Sequence, residues 1–347
     1  MDKLSPLLSR DAFREAVFAR DGGLCVVCKA PAVDAHHIME RRLWDDGGYY
    51  LGNGASLCAV HHRQSEQTVI SVEDVRQACG ITKVMLPDHL YDDDRYDKWA
   101  NPILANGTRL RGELFFDPSV QKILAEGEVL HLFTNRVRHP RVHHLPWSPG
   151  VHDDDRVMPS IARFVGQRVI VHEKMDGEQT NMYRDFIHAR SLDGQHHASR
   201  DWVKGLWGRI AHDIPPDWRV CCENMYAKHS IAYDNLASYA YGYAIWNERN
   251  ECLPWDQTKE WLALLGIEPC PVIYDGTFDE RIIRGLYDER RDWASREGYV
   301  VRIADGFSYG QYRRCVGKYV RRGHIQTARH WMHGRVIEPN KLAASVQ

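Results

Sequence analysis

The chain has 347 residues, too many for one typical single-core domain, so two or three modules are expected. Its 45 basic and 47 acidic residues give a formal charge of −2, which excludes nucleic-acid binding through a global positive excess; any basic groove must be local. The first thirty residues show no signal-peptide pattern and no apolar run is long enough to cross a bilayer, so a soluble, cytoplasmic protein without membrane contact is expected. Nine cysteines, an odd number with one tight pair-and-partner spacing, argue for reduced thiols rather than a disulfide framework.

Residues 10–21 place Ala12, Phe13, Ala16, Val17 and Ala19 at helical spacing before Gly22 and Gly23, which predicts a short amphipathic helix. From 25 to about 70 the chain is polar and poor in apolar runs, as suits a metal-stapled module, and a first domain is expected over 1–75. Within it, Cys25-x-x-Cys28 and Cys58-x-x-His61 form two halves of a tetrahedral zinc site around the pair His36-His37. Residues 76–154 mix short apolar runs with acidic turns and read as an accessory domain or connector. They end in a proline-rich stretch (Pro140, Pro146, Pro149, then Pro159) that includes Asp153, Asp154 and Asp155. The basic run from Arg136 to His144 reads as a phosphate-tracking segment or a solvated linker.

A third domain is expected over 155–347, with strands at 168–174, 218–223, 240–246, 298–303 and 315–320 and helices at 202–212 and 258–265. The fold class is therefore α+β, multi-domain, with antiparallel sheets. Trp202, Trp207, Trp218, Trp246 and Trp261 are expected in the core rather than on a base-stacking platform.

Lys174-x-Asp176-Gly177 alone would arise by chance in roughly one chain of this length in ten, and so decides nothing. Its ordered company does: Arg190-Ser191, Cys222-Glu223-Asn224, Tyr241 to Trp246, Glu297-Gly298-Tyr299, and Val316-Gly317-Lys318-Tyr319. Over about 155–335 this set resembles the covalent nucleotidyltransferases, that is, polynucleotide ligases and messenger-RNA capping enzymes. It is most similar to RNA ligases that seal nicks in duplexes, a likeness that the tail from Lys318 to Thr327 shares. The 29 residues after Lys318 leave no room for the OB-fold that follows in DNA ligases and capping enzymes, which favours the RNA ligases.

The resemblance implies an ATP-grasp-like nucleotidyltransferase domain in which Lys174 takes AMP from ATP. Glu173 would lie beside the base, Asp176 would order the site, and Arg190 would meet ribose and phosphate. Glu223 would bind the ribose hydroxyls, Tyr243 would stack on the base, Glu297 would help hold Mg2+ or Mn2+, and Lys318 would contact the α-phosphate. A lysine attacks phosphorus only when neutral, so Lys174 is expected to titrate below the free value of about 10.4. Gly177 is expected to let the backbone approach the nucleotide. Two positions depart from the pattern: Gln179 stands where asparagine is common, and Val320 where a second lysine is common, with Arg321 or Arg322 as replacements. Arg313-Arg314 and Arg321-Arg322 are candidates for the nucleic-acid backbone.

The cysteine and histidine order of the first domain resembles the HNH nucleases in their zinc-stapled, ββα-metal form, with His61 where a fourth cysteine is usual. That resemblance implies Zn2+ on Cys25, Cys28, Cys58 and His61, a second divalent ion on His36 and His62, and His37 as the base that activates water. Asn53 would orient that base or fix the loop. The combined expectation is an ATP-dependent RNA ligase that seals 3′-hydroxyl and 5′-phosphate ends, joined to an HNH nuclease or nucleic-acid-binding module and acting on RNA or a nicked RNA/DNA duplex. The alternative is a non-ligating, GTP-using nucleotidyltransferase with a structural zinc module that grips nucleic acid. Neither reading specifies an oligomeric state.

Overall fold

In a computed structural model, which describes residues 6–153, 155–190, 192, 197–324 and 337–344, the first helix forms where the sequence predicts it. Helix α1 (Arg10–Asp21) begins at Ser9, whose hydroxyl accepts the Ala12 N–H at 3.3 Å, and it buries Phe13 and Val17. Strands β1 (Asp34–His37) and β2 (Gly54–Leu57) pair antiparallel, Asp34 opposite Leu57 and His37 opposite Gly54, and helix α2 (Ala59–Glu66) follows directly. Helix α3 (Val72–Ala78) opens on a capping box between Ser71 and Asp74.

Four two-residue strands come next: β3 (Arg95–Tyr96), β4 (Pro102–Ile103), β5 (Arg109–Leu110) and, beyond helix α4 (Pro118–Glu126), β6 (Phe133–Thr134). The chain divides into two compact units, Met1–Asn135 and Arg136–Gln347, whereas the sequence placed its breaks near 75 and 155. The difference has a packing cause. Tyr96 and Ala100 share one core with Ile38, Leu57, Val72 and Val75, so the segment after 75 completes the first module's hydrophobic centre.

The second unit is built on two sheets. Its strands, in chain order, are β7 (His143–His144), β8 (Arg168–Glu173), β9 (Glu178–Met182), β10 (Ile187–Ala189), β11 (Arg219–Asn224), β12 (Ala240–Trp246), β13 (Glu251–Cys252), β14 (Glu268–Pro269), β15 (Val272–Thr277), β16 (Gly298–Ile303), β17 (Phe307–Ser308) and β18 (Val316–Val320). Among the described residues, one sheet runs β10-β9-β11-β12-β13-β17 with β14 beside β12, and the other β15-β8-β16-β18-β7. Pairing is antiparallel, as expected, except where β14 joins β12 and β7 joins β18 in parallel.

Val169 and Val171 of β8, with Tyr299, Val301 and Ile303 of β16, share a core with Cys221 of β11 and with Ala244 and Trp246 of β12, so the two sheets bury facing surfaces. On the far side of the first sheet, Met182, Val220, Cys222 and Ile245 pack on helices α5 (Asp201–Ile210) and α6 (Trp255–Leu264) through Val203, Leu206, Ile210 and Leu262. Trp246 is wholly buried, and Trp202, Trp207, Trp218 and Trp261 are half-buried against these clusters, as expected. The cysteines are free, and among the described residues no helix is long and apolar enough to cross a membrane.

Buried histidines make the second unit acid-sensitive, His139, His172 and His188 among them. Burial, reinforced by Arg219 and Arg190, holds His139 down to about 3, and burial holds His172 and His188 down to about 4. The unfolded chain binds protons at these positions below the ordinary value of 6.5 while the fold keeps them neutral. Stability is therefore full above that pH and falls by about 1.4 kcal/mol per pH unit for each histidine below it. The urea midpoint should drop between about pH 7 and about pH 5. His139→Gln, which removes one titrating group, should flatten that slope; an unchanged slope would contradict the account.

Candidate functional site

Two groups of side chains concentrate chemistry, one in each unit. In the first unit, Cys25 and Cys28 lie on the turn after α1, Cys58 caps the N-terminus of α2, and His61 sits in the first turn of that helix. Nδ1 of His61 is 3.4 Å from Cys25 Sγ and 3.3 Å from Cys58 Sγ, and the sulfurs of Cys28 and Cys58 are 3.8 Å apart. Bonds of about 2.3 Å to sulfur and about 2.0 Å to nitrogen give tetrahedral edges of about 3.8 Å between sulfurs and about 3.5 Å between sulfur and nitrogen. The donor set therefore fits zinc in geometry as well as in chemistry.

Beside His61 on α2, His62 faces Glu66, as does His36 of β1. His36 Nδ1 is 3.4 Å and His62 Nε2 is 3.7 Å from the same Glu66 Oε1. Sequence reading missed Glu66, although its spacing of four from His62 puts both on one helix face. It missed Lys98 as well. That buried ammonium donates to the His37 carbonyl at 2.7 Å and lies 3.2 Å from Glu66 and 3.5 Å from Glu40.

His37, the next residue of β1, turns to the other face and stacks on Phe13 at 4.6 Å, with Tyr49 edge-on at 5.1 Å. Its Nε2 is buried and has no hydrogen-bond partner among the described residues. Burial and the Lys98 charge hold His36 down to about 3 and His37 to about 4, so both imidazoles are neutral at physiological pH. Asn53 accepts the Met39 N–H at 2.9 Å and donates to the carbonyls of Met39 and Gly48, which makes it a clamp for that loop.

In the second unit, the Lys174 backbone N–H donates to the Gly298 carbonyl at 3.0 Å where β8 leaves the sheet. Met175 then anchors the loop in an apolar cluster with Met225, Leu236, Tyr241 and Cys270. Lys174 Nζ donates to Glu297 Oε2 at 2.7 Å. Asp176 Oδ2 accepts the N–H and hydroxyl of Ser230 and the N–H of Ile231, so this carboxylate ties the loop to the segment after β11. A Cβ on Gly177 would lie 2.6 Å from the Asn224 carbonyl oxygen, so its glycine is required by the end of β11, the strand that carries Glu223, and not only by a nucleotide.

The charges are strongly coupled. Burial pulls Lys174 down, but Glu297, Glu223 and Asp176 outweigh it and hold the ammonium above its ordinary value. The sequence expectation of a depressed lysine is thus corrected for the free protein, because the carboxylates of the site all surround one cation. Glu223 is pushed up to about 8 by burial, against the pull of Lys174 and with the push of Glu297 and Asp176. Lys318 is lowered by burial and by Lys174, while Asp155, 3.2 Å away, holds its charge.

The remaining expected residues keep other partners. Glu173 pairs with Arg296 at 3.3 Å, and Tyr243 stacks on His172 at 6.3 Å with His139 edge-on at 5.5 Å. Arg190 keeps a buried Nε without a hydrogen-bond partner among the described residues, and burial together with the charges of Arg141 and Arg138 lowers it. Val320 is buried, and Arg321, one of the two residues expected to replace a missing lysine, lies over the Trp293 ring at 4.5 Å. Ser191, Asp154 and the tail residues Ile325, Gln326 and Thr327 lie outside the described residues. Asp155, Ser230 and His324 went unassigned in the sequence. Asp155 sat in a run read as linker, and His324 in a tail that carried no role for it.

Residues 167–320 match the family model described as RNA ligase. Among curated proteins no sequence matches the chain. Solved structures similar to it include a lysine-to-alanine mutant of Naegleria gruberi RNA ligase with ATP and Mn, at 16% identity and TM-score 0.34, covering 54% of this chain and 60% of that one. An archaeal ATP-dependent RNA ligase follows at 19% identity and TM-score 0.35, covering 53% and 48%. A putative ATP-dependent DNA ligase from Aquifex aeolicus stands at 16% identity and TM-score 0.35, covering 53% and 49%. The chain thus spans less than two thirds of the length of each of these three.

Cys28 is exposed, so its replacement tests metal binding without opening a core. Elemental analysis of the purified protein should find zinc, and Cys28→Ser should lose it and melt the first unit earlier. Equal zinc content in the two proteins would remove Cys28 from the metal.

Proposed function

We propose that the second unit is an ATP-dependent RNA ligase with Lys174 as its nucleophile, joined to a first unit that is a zinc-stapled HNH-type module for cutting or gripping nucleic acid. One observation carries the reading: the half-buried Lys174 is hydrogen-bonded to Glu297 amid Asp176 and Glu223, inside the stretch 167–320 that matches the RNA ligase family model.

In the first step Lys174 Nζ forms a bond to the α-phosphorus of ATP and the bond to the β-phosphate oxygen breaks, releasing pyrophosphate. Nζ must first lose a proton, and Glu297 Oε2 at 2.7 Å is the acceptor within reach. Lys318, kept cationic by Asp155, moves to the negative charge that develops on the phosphoryl oxygens, with Arg190 adding a second cation. Glu223 stands ready for the ribose hydroxyls. A divalent ion held at Glu297, when bound, neutralises charge on the triphosphate. AMP then passes from Lys174 to a 5′-phosphate, and a 3′-hydroxyl displaces it to close the strand.

In the first unit, His37 is neutral and holds a free lone pair, as a base for water requires, while His36, His62 and Glu66 form a donor set for a divalent ion. The buried Val320 favours a second reading, because no lysine stands there for the sealing step: a transferase that takes GTP and does not ligate.

Incubation with α-labelled ATP and divalent ion should leave label on the wild-type protein and none on Lys174→Ala; equal labelling of both would discard the nucleophile. Stronger labelling from GTP than from ATP would favour the second reading. For the first unit, metal-dependent cleavage of nucleic acid should fall roughly 100-fold or more in His37→Ala. Cleavage that persists in this variant would remove His37 from catalysis, and its absence in wild type would leave a binding module.

A further inference from the structure

Sequence reading gave Glu297 to a magnesium ion and left His324 without a role. The structure brings His324, Glu297 and Asp176 together as three buried side chains, 3%, 3% and 8% exposed. His324 Nε2 lies 3.3 Å from Glu297 Oε1 and 3.7 Å from Asp176 Oδ1. Each carboxylate engages the protein through its other oxygen: Glu297 Oε2 holds Lys174, and Asp176 Oδ2 holds Ser230 and Ile231. The oxygens that remain face the imidazole.

The histidine's orientation is set from behind. Ser230 has one hydroxyl hydrogen, directed at Asp176 Oδ2 across 2.6 Å. Toward His324 Nδ1, 3.4 Å away, the same oxygen can only accept, which puts the ring proton on Nδ1 and leaves the Nε2 lone pair aimed at the carboxylates. Three lone pairs converging in a buried space repel one another unless a cation lies between them. Donors about 2.1 Å from a shared ion stand about 3.0 Å apart as octahedral neighbours and about 3.4 Å apart in a tetrahedron, so the separations of 3.3 and 3.7 Å lie within about 0.7 Å of the octahedral value and within about 0.3 Å of the tetrahedral one.

We propose that His324 is a direct nitrogen ligand of a divalent ion held with Glu297 and Asp176, and that it selects Mn2+ or another imidazole-accepting transition ion over Mg2+. Mg2+ favours an all-oxygen, largely hydrated shell, whereas one imidazole with two carboxylates suits the transition ions. Val320 ends β18 and His324 lies four residues beyond it, so the chain lacks an ammonium where Val320 stands and supplies an imidazole just after the strand. The inference rests on the ligase reading for its purpose, since this ion would share Glu297 with Lys174.

The test uses the full chain, zinc-loaded and carrying His62→Ala so that the cluster of the first unit is impaired, with Mn2+ alone and no nucleotide. Spin-echo spectra of the bound ion should show nitrogen modulation, and Mg2+ should displace it only at an excess of at least about tenfold. Adding His324→Ala, or His324→Gln in a variant confirmed folded by circular dichroism, should abolish the modulation and weaken Mn2+ binding at least about tenfold. Absence of bound Mn2+, modulation that survives both His324 changes, or equal competition by Mg2+ would overturn the site. Because no nucleotide is present, the outcomes separate. Nitrogen coupling without labelling at Lys174 would keep the site and discard the ligase reading, and labelling without nitrogen coupling would do the reverse.

Discussion

An ammonium and a carboxylate 2.7 Å apart, the carboxylate buried and the lysine side chain 26% exposed, organise the second unit's chemistry. Removing a charge pair from water is expensive, and removing one partner alone is worse, because the other is left buried without compensation. Around Lys174 and Glu297 the protein adds Asp176 and Glu223 on one side and Lys318 with Asp155 on the other. Each of these groups shifts the others. Glu223 is pushed toward its neutral form by burial first and by the neighbouring carboxylates next, and Lys318 is lowered by burial first and by the positive charge of Lys174 next. Under the proposed reading, such a site would take phosphates at its lysines and a metal at its carboxylates.

The two sheets make that crowding tolerable. β8 and β16 are neighbours in register, Tyr299 opposite Glu173, so the residues just outside the pair, Lys174 and Glu297, meet at one end. β18 lies on the other side of β16 and brings Lys318 opposite Val300. The close packing has a specific requirement at Gly298, where a Cβ would stand 1.9 Å from the Tyr319 carbonyl oxygen. The glycine beside Glu297 is therefore explained by β18 before any ligand is considered.

Much of this was legible in the sequence for physical reasons. The strands of the second unit are rich in β-branched and aromatic residues, and β12 and β16 fall at the predicted bounds. The cysteine spacing of the first unit announces a group of metal donors, and the structure brings Cys25, Cys28, Cys58 and His61 within 4.8 Å of one another. What was hidden depends on contacts far apart in the chain. Glu66 and Lys98 join the His36 cluster only through folding, and residues 76–154 read as an accessory domain or connector because short strands carry little periodicity, although Tyr96 and Ala100 complete a core with the first module. Asp155 and His324 reach Lys318 and Glu297 from segments in which sequence reading assigned neither residue a role. The sign of the Lys174 shift was missed for a related reason: burial can be inferred from a motif, but the summed charge of carboxylates from three separate segments cannot.

The claim on which the rest stands is that the carboxylates, and not burial, decide the charge of Lys174 in the free protein. Site-resolved NMR titration of an isotopically labelled lysine side chain measures it directly. Lys174 should titrate above the ordinary value of 10.5 in the wild-type protein, and lower in Glu297→Gln, where the largest opposing charge is gone. A wild-type lysine that titrates below its ordinary value, or a Glu297→Gln variant that leaves it unmoved, would contradict the account.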